Sequence, residues 1–262
     1  MEPVLELQDV SMSFGGLKAV DSLAFTVREN EIVSIIGPNG SGKTTTFNLI
    51  SGLYEPHSGD ILLKGESVAG LRPDLVHDKG ISRTFQSLRL FSNMNVLENV
   101  LVGMHSVTKA GPIASMLRLP SVRREEKAMY DKAQEILGMF PGRFSGPRQL
   151  QPAYSLSYAN RRRLEIARAL ASDPVLLLLD EPVAGMNPAE SHEVMEQIKM
   201  LREKGYTILM IEHDMHVVEG VSDRVIAMDH GVKIAEGTYD EVANDPQVVE
   251  AYLGKRAADA TA

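Results

Sequence analysis

Two groups of residues in this 262-residue chain have types and spacing that suit phosphate chemistry. The first is Gly37-Pro38-Asn39-Gly40-Ser41-Gly42-Lys43-Thr44, which has the form G-x-x-x-x-G-K-[ST]. Its glycines leave room for the backbone to wrap a polyphosphate. The loop N–H groups and the N-terminus of a following helix supply partial positive charge. Lys43 is long enough to reach the β- and γ-phosphates, and the Thr44 hydroxyl can ligate Mg2+. The flanks agree with this reading. Ile32-Val33-Ser34-Ile35-Ile36 reads as a buried strand, and Phe47, Leu49, Ile50 and Leu53 as the apolar positions of a helix. A plain glycine-rich turn with a surface lysine would leave that agreement unexplained.

The second group is the run Val175 to Leu179 followed by Asp180 and Glu181. A buried strand that ends in two adjacent carboxylates can hold Mg2+ through its water shell with Asp180. Glu181, one residue further, is a natural general base for water attacking a γ-phosphate. An acidic pair at a strand end can also simply begin a loop, but the glycine loop on the same chain favours chemistry. Two more polar residues follow apolar runs. Gln86 comes after Ile81 to Phe85, where an amide can ligate Mg2+ and order a water. His213 comes after Ile208 to Ile211, from where it can meet the γ-phosphate. His213 and His216 lack a third ligand in the sequence, so a metal pair is rejected.

These residues need a sheet whose strand ends converge. Leu5 to Gln8 and the stretch around Leu23 and Phe25 alternate as half-buried strands, with a turn at Gly15-Gly16. Ile61 to Leu63, Ile81 to Phe85, Val175 to Leu179, Thr207 to Ile211 and Val225 to Met228 read as further strands. Helical spacing dominates from Val96 to about Leu170. Ser106 to Pro120 reads as a loop or interrupted helix, and Pro141 to Pro152 is too rich in Gly and Pro for a regular element. Pro188 opens a helix to Glu203, and another passes through Val217 and Val218. The expected fold is α/β, a mostly parallel sheet interrupted by a helical insertion between Phe91 and Leu170. The tail after Gly254 is expected to be disordered.

Bulk properties narrow the function. The formal charge of −8 disfavours a duplex-binding surface. No run approaches the ~18 apolar residues of a membrane span. Met1-Glu2-Pro3-Val4 has no basic or apolar leader character, which with the nucleotide motif points to the cytoplasm. The absence of cysteine excludes disulfides and thiolate metal sites.

The order of these motifs resembles the ATP-binding cassette superfamily over nearly the whole chain. The resemblance implies a P-loop cassette with an N-terminal antiparallel β-subdomain. It implies a core from residues 1–90 and 171–254, a helical signature subdomain from 91–170, and a tail from 255–262. It implies ATP and Mg2+ as cofactors. Phe14 would stack on adenine, with Val20, Gly37 to Thr44 and Thr45 also contacting nucleotide. Thr44, Gln86 and Asp180 would serve Mg2+, while Glu181, Gln86 and His213 would serve hydrolysis.

The helix Arg161 to Leu170 is similar to the one after the family signature, here Leu156-Ser157-Tyr158-Ala159-Asn160. Ser157, Tyr158, Ala159 and Asn160 would then close over a partner subunit's nucleotide. Ala159 stands where the family has glycine, which adds a Cβ and makes a positive φ costly if one is needed. Asn160 is one methylene shorter than the usual glutamine.

Arg83-Thr84-Phe85-Gln86, Arg89-Leu90-Phe91, Glu181 through Pro188, and the ending Ala251-Tyr252-Leu253-Gly254 resemble the cassettes of branched-chain amino-acid importers. That implies transmembrane permease partners and, through them, an external substrate-binding protein. It implies a place on the cytoplasmic face of the membrane and no nucleic acid. The working dimer is either a homodimer or a heterodimer with a second cassette. Urea or amide transport, a soluble cassette ATPase and a small-molecule phosphoryl transferase are the alternatives.

Overall fold

The alternating and the all-apolar runs sort into two sheets in the computed structural model, which describes residues 3–104 and 120–253. β1 (Pro3–Phe14), β2 (Leu17–Arg28), β4 (Ser58–Leu63) and β5 (Glu66–Ser67) form an antiparallel sheet in the order β2-β1-β4-β5. β3 (Ile32–Ile36), β6 (Ile81–Arg83), β7 (Leu176–Asp180), β8 (Thr207–Ile211), β9 (Arg224–Asp229) and β10 (Val232–Gly237) form the second, in the order β10-β9-β3-β8-β7-β6. All pairings in it are parallel except that of β10 with β9.

The all-apolar strands follow from burial on both faces. Leu177 and Leu179 face one side, with Ile208, Met210, Val194, Ile198 and Leu164. Leu176 and Leu178 face the other, with Val33, Ile35 and Phe47 and with Leu7 and Phe25 of the antiparallel sheet. Each fully buried leucine contributes roughly 1.5–3 kcal/mol.

Helix α1 (Lys43–Ile50) follows β3, and α2 (Pro73–Asp78) precedes β6. Between β6 and β7 lie α3 (Val96–Gly103), α4 (Pro120–Gly138) and α5 (Tyr158–Leu170). Val100, Ala133, Ile136, Phe140 and Leu164 of this stretch belong to the same core cluster as Leu177 and Leu179. The helical insertion therefore continues one face of the sheet's core. α6 (Pro188–Glu203), α7 (Met215–Val221), α8 (Tyr239–Ala243) and α9 (Pro246–Leu253) complete the described chain. Asn187 and Glu190 form a capping box at the start of α6, which agrees with the expected start at Pro188.

Several boundaries differ from expectation. β6 stops at Arg83; Thr84 donates one further ladder bond to the Leu178 carbonyl at 2.9 Å before the chain leaves the sheet. Gly146–Leu150 is a short 3₁₀ helix inside the Gly/Pro-rich stretch, and Ala153–Ser155 is another just after it. Most of the expected loop from Ser106 lies outside the described residues, and Pro120 already opens α4. The expected disordered tail also lies outside them. No helix among the described residues is long and apolar enough to cross a membrane.

The strand order decides where the chemistry sits. β3, β8, β7 and β6 are neighbours and parallel, so Gly37, His213, Asp180 and Gln86 leave the sheet along one edge, at the carboxyl ends.

Candidate functional site

Two glycines make the loop after β3 possible. Gly37 has φ +147°, and a Cβ there would lie 2.1 Å from the Met228 carbonyl oxygen. Gly42 has φ +101°, and its Cβ would lie 2.4 Å from the Ala19 carbonyl oxygen. Gly42 is the N-cap of α1 and supplies no side-chain cap, so the first-turn N–H groups of the helix remain for a ligand. The Lys43 ammonium sits within the loop. It donates to the Gly37 carbonyl at 2.6 Å, the Pro38 carbonyl at 2.9 Å and the Ser41 hydroxyl at 3.3 Å. Burial pushes its pKa below the usual lysine range, while the Glu181 carboxylate opposes that shift.

A cavity of about 450 Å³ opens over this loop. Asn39 to Thr45 line its floor, Gln86 and Glu181 one wall, and Phe14 the rim. Phe14 is 44% exposed and rests edge-on against Tyr54, with ring centroids 5.3 Å apart. An exposed aromatic at the mouth of a phosphate cavity is suited to stacking on a base. Val20 must be corrected. It is fully buried in the core beneath β2, and the neighbouring Lys18 and Ala19 line the cavity instead. Strand alternation turns Val20 inward. Pro38 meets a second cavity behind the loop.

Asp180 ends β7 with its side chain almost buried. Its Oδ2 accepts from Arg83 Nη2 at 2.9 Å, and its backbone N–H donates to Thr84 Oγ1 at 3.2 Å. Thr44, Gln86 and Asp180 share a smaller cavity of about 300 Å³ with Arg83, Phe85 and Ser87. Glu181 follows with φ +48°, a left-handed conformation that costs a non-glycine residue roughly 1–2 kcal/mol. Such strain at a strand end commonly aims a functional side chain. The Glu181 carboxylate accepts from Gln86 Nε2 at 3.3 Å, and His213 Nδ1 lies 3.8 Å from its other oxygen. Gln86, Glu181 and His213 are thus brought together beside the loop.

Glu212 escaped the sequence reading. It is fully buried and accepts backbone N–H groups from Val183 (3.2 Å), His213 (2.9 Å) and Asp214 (3.3 Å). One carboxylate thereby ties the chain after Glu181 to the chain after β8. Burial raises its pKa in spite of these three bonds. Its signal was a lone carboxylate directly after an unbroken apolar strand, where the polar residue nearest the sheet must satisfy the turning backbone.

Ser157 to Asn160 stand apart from this cavity. Ser157 is the N-cap of α5, and its hydroxyl accepts from the Asn160 N–H at 3.4 Å. Tyr158 is exposed and lies against Gly185. Ala159 is buried in the first turn of α5 and has no positive φ, so its Cβ carries no backbone strain. Ala159→Gly is therefore expected to lower stability by about 0.5–1 kcal/mol and to leave ATP turnover unimproved. A urea melt and a turnover assay check this; higher turnover in the variant would mean that Ala159 obstructs a site.

Behind this segment Arg162 is completely buried. Its guanidinium donates to the carbonyls of Phe85 at 2.5 Å and Gln86 at 2.9 Å and to Glu165 at 3.0 Å. Glu165, its pKa raised by burial, also accepts from the Arg89 N–H at 3.3 Å. Helix α5 thus holds the chain that carries Gln86.

A family model described as ABC transporter matches residues 20–184. A second, described as branched-chain amino acid ATP-binding cassette transporter, matches residues 232–258. The chain is 44% identical over 255 residues to the high-affinity branched-chain amino acid transport ATP-binding protein LivG of Salmonella typhimurium, covering 97% of this chain and 99% of that protein. It matches the ADP conformation of MJ1267, an ATP-binding cassette of an ABC transporter, with TM-score 0.82 and 32% identity over 97% of this chain and 100% of that one. It also matches the dimeric post-hydrolysis state of the cassette MJ0796 bound to ADP and Pi, with TM-score 0.73 and 26% identity over 90% and 98% of the two chains. With its glycine loop, paired carboxylates and strand-end histidine in the order described above, the chain belongs to the ABC transporter family of ATP-binding cassettes, alongside the branched-chain amino acid transport ATP-binding proteins.

Proposed function

We propose that this ATPase drives import of branched-chain amino acids through transmembrane permease subunits, from the cytoplasmic face of the membrane. The observation that carries the chemistry is the convergence of Gln86 and His213 on the Glu181 carboxylate, beside the loop that holds Lys43. The substrate class is supported by the likeness to LivG and by the C-terminal match over residues 232–258.

The residues divide the work by position. Phe14 stacks on the base. The loop N–H groups and Lys43 hold the β- and γ-phosphates. Glu181 accepts a proton from the attacking water, and Gln86 orients that water from the same side. His213 contacts the γ-phosphate and senses its loss. The all-oxygen set of Thr44, Gln86 and Asp180 fits Mg2+, which takes one or two carboxylates plus substrate phosphates. Bound there, the ion would offset charge on the phosphate oxygens during transfer.

The separation of Ser157 to Asn160 from the chain's own cavity supports a head-to-tail pair of cassettes. In such a pair these residues close over the partner's nucleotide. The relative MJ0796 is dimeric. Closure driven by differential nucleotide binding then moves the permease, and hydrolysis resets it.

Vesicles that hold the chain, its permeases and the external binding protein test the reading. ATP turnover is expected to rise with leucine, isoleucine or valine outside. Stimulation by urea or a short amide in their place would overturn the substrate class. Turnover that responds to RNA and ignores the permease would overturn transport.

A further inference from the structure

The small cavity beside Thr44 contains a permanent cation of the protein's own. Arg83 ends β6 with a side chain only 7% exposed. Its guanidinium donates to Asp180 Oδ2 at 2.9 Å, to Asn48 Oδ1 at 2.7 Å and to the Ser51 hydroxyl at 3.0 Å. The rings of Phe47 and Phe85 lie 5.4 and 5.2 Å from it. Asn48 and Phe47 belong to α1, the helix that begins with Lys43 and Thr44, and Ser51 is its C-cap. Arg83 therefore fixes the phosphate-loop helix to the end of β7. Its Nε is buried without a partner, a cost that a purely structural link would avoid with a shorter polar side chain.

We propose that Arg83 is a positioning residue that serves as the resident counter-ion of Asp180, so that a divalent cation enters this site only together with a nucleotide's phosphates. The proposal rests on the reading that Asp180 serves the nucleotide's Mg2+. The charges argue for it. Thr44, Gln86 and Ser87 are neutral, and Asp180 is the one carboxylate lining this cavity among the described residues; Glu181, beyond Gln86, has its charge opposed by the Lys43 ammonium. Arg83 cancels the Asp180 charge. A divalent ion needs net negative charge around it, and here the phosphates must supply that charge. Arg83 engages Oδ2, and Oδ1 remains for the hydration shell of an incoming ion. The guanidinium is held by three hydrogen bonds and two rings, so it stays in place. A unit positive charge on the same carboxylate repels a divalent ion held there through water and weakens its binding by about fivefold even at the dielectric constant of water.

Mn2+ uptake by the nucleotide-free full chain, read by electron paramagnetic resonance, tests the inference. Arg83→Gln is expected to bind Mn2+ at least about fivefold more tightly than wild type. Adding Asp180→Asn should abolish the gain, and Arg83→Lys, which keeps the charge, should bind as weakly as wild type. Equal Mn2+ affinity in wild type and Arg83→Gln, or a gain that survives Asp180→Asn, would overturn the proposal. If Arg83→Gln does not fold, Asp180→Asn alone decides. With Arg83 intact, it should leave nucleotide-free Mn2+ uptake unchanged and reduce uptake in the presence of ATP. A fall without ATP would overturn the counter-ion role. Binding of a fluorescent ATP analogue in EDTA is measured beside these. Its absence in wild type both in EDTA and with added Mg2+ would sink the nucleotide reading on which the proposal stands, whatever Mn2+ does.

Discussion

Glu181→Gln is expected to lower ATP turnover at least about 100-fold while ATP affinity stays the same or tightens. Glutamine has the shape of glutamate, and its amide oxygen can still accept from Gln86 Nε2, which now lies 3.3 Å from the carboxylate. The variant loses two properties, negative charge and basicity. Loss of basicity removes the acceptor for the proton of attacking water. Loss of charge removes an anion from the cavity where polyphosphate binds, and the Lys43 ammonium keeps its place on the loop carbonyls. Binding should therefore survive while chemistry stops. Bound ATP should persist, and any dimer that closes on ATP should accumulate. Single-turnover hydrolysis and size-exclusion chromatography with ATP read the two effects separately. Wild-type turnover in this variant would remove Glu181 from the mechanism. A large loss of ATP affinity would instead give it a binding role.

The residues that this prediction uses were legible because each sits where a simple pattern changes. An apolar strand becomes a glycine loop at Gly37, a carboxylate pair at Asp180, or the polar Glu212-His213 after Ile211. Burial on both sheet faces writes such strands as unbroken apolar runs, so their ends are sharp.

Val20 came only from the family resemblance, which does not say which way a strand residue points; β2 turns it into the core. The buried arginines were hidden too. Nothing local marks Arg83 and Arg162 as buried, because their carboxylate and carbonyl partners come from distant parts of the chain. The C-terminal helices were missed because five and eight residues are too few to show a helical period. The first of them, α8, did carry a signal in its first turn, the capping box from Thr238 to Glu241.

The same loop yields a sharp contrast between Gly37, a required glycine of the motif, and Gly40, which stands at one of its free positions. Gly40 has φ +84°, and a Cβ there would meet nothing within 4 Å. Gly40→Ala should cost only the strain of its backbone, roughly 1–2 kcal/mol. Gly37→Ala carries a positive φ as well, and its Cβ would also overlap the Met228 carbonyl oxygen at 2.1 Å and Ser41 Oγ at 2.7 Å. That carbonyl cannot retreat easily. Met228 is fully buried on β9, and β9 is paired with β3 up to Ile36 and Ala227. The loop must move instead, and with it the Gly37 carbonyl that holds Lys43 at 2.6 Å. Overpacking of this kind adds about 1–3 kcal/mol. Gly37→Ala is expected to weaken ATP binding at least about 100-fold, a loss of roughly 2.7 kcal/mol, and to lower the melting temperature. Gly40→Ala should fold and bind ATP at least about tenfold better than Gly37→Ala. Titration with a fluorescent ATP analogue ranks the two. If Gly40→Ala proved the more damaging, the loop would have to contact phosphate through Gly40, and the crowding at Gly37 would not govern its shape.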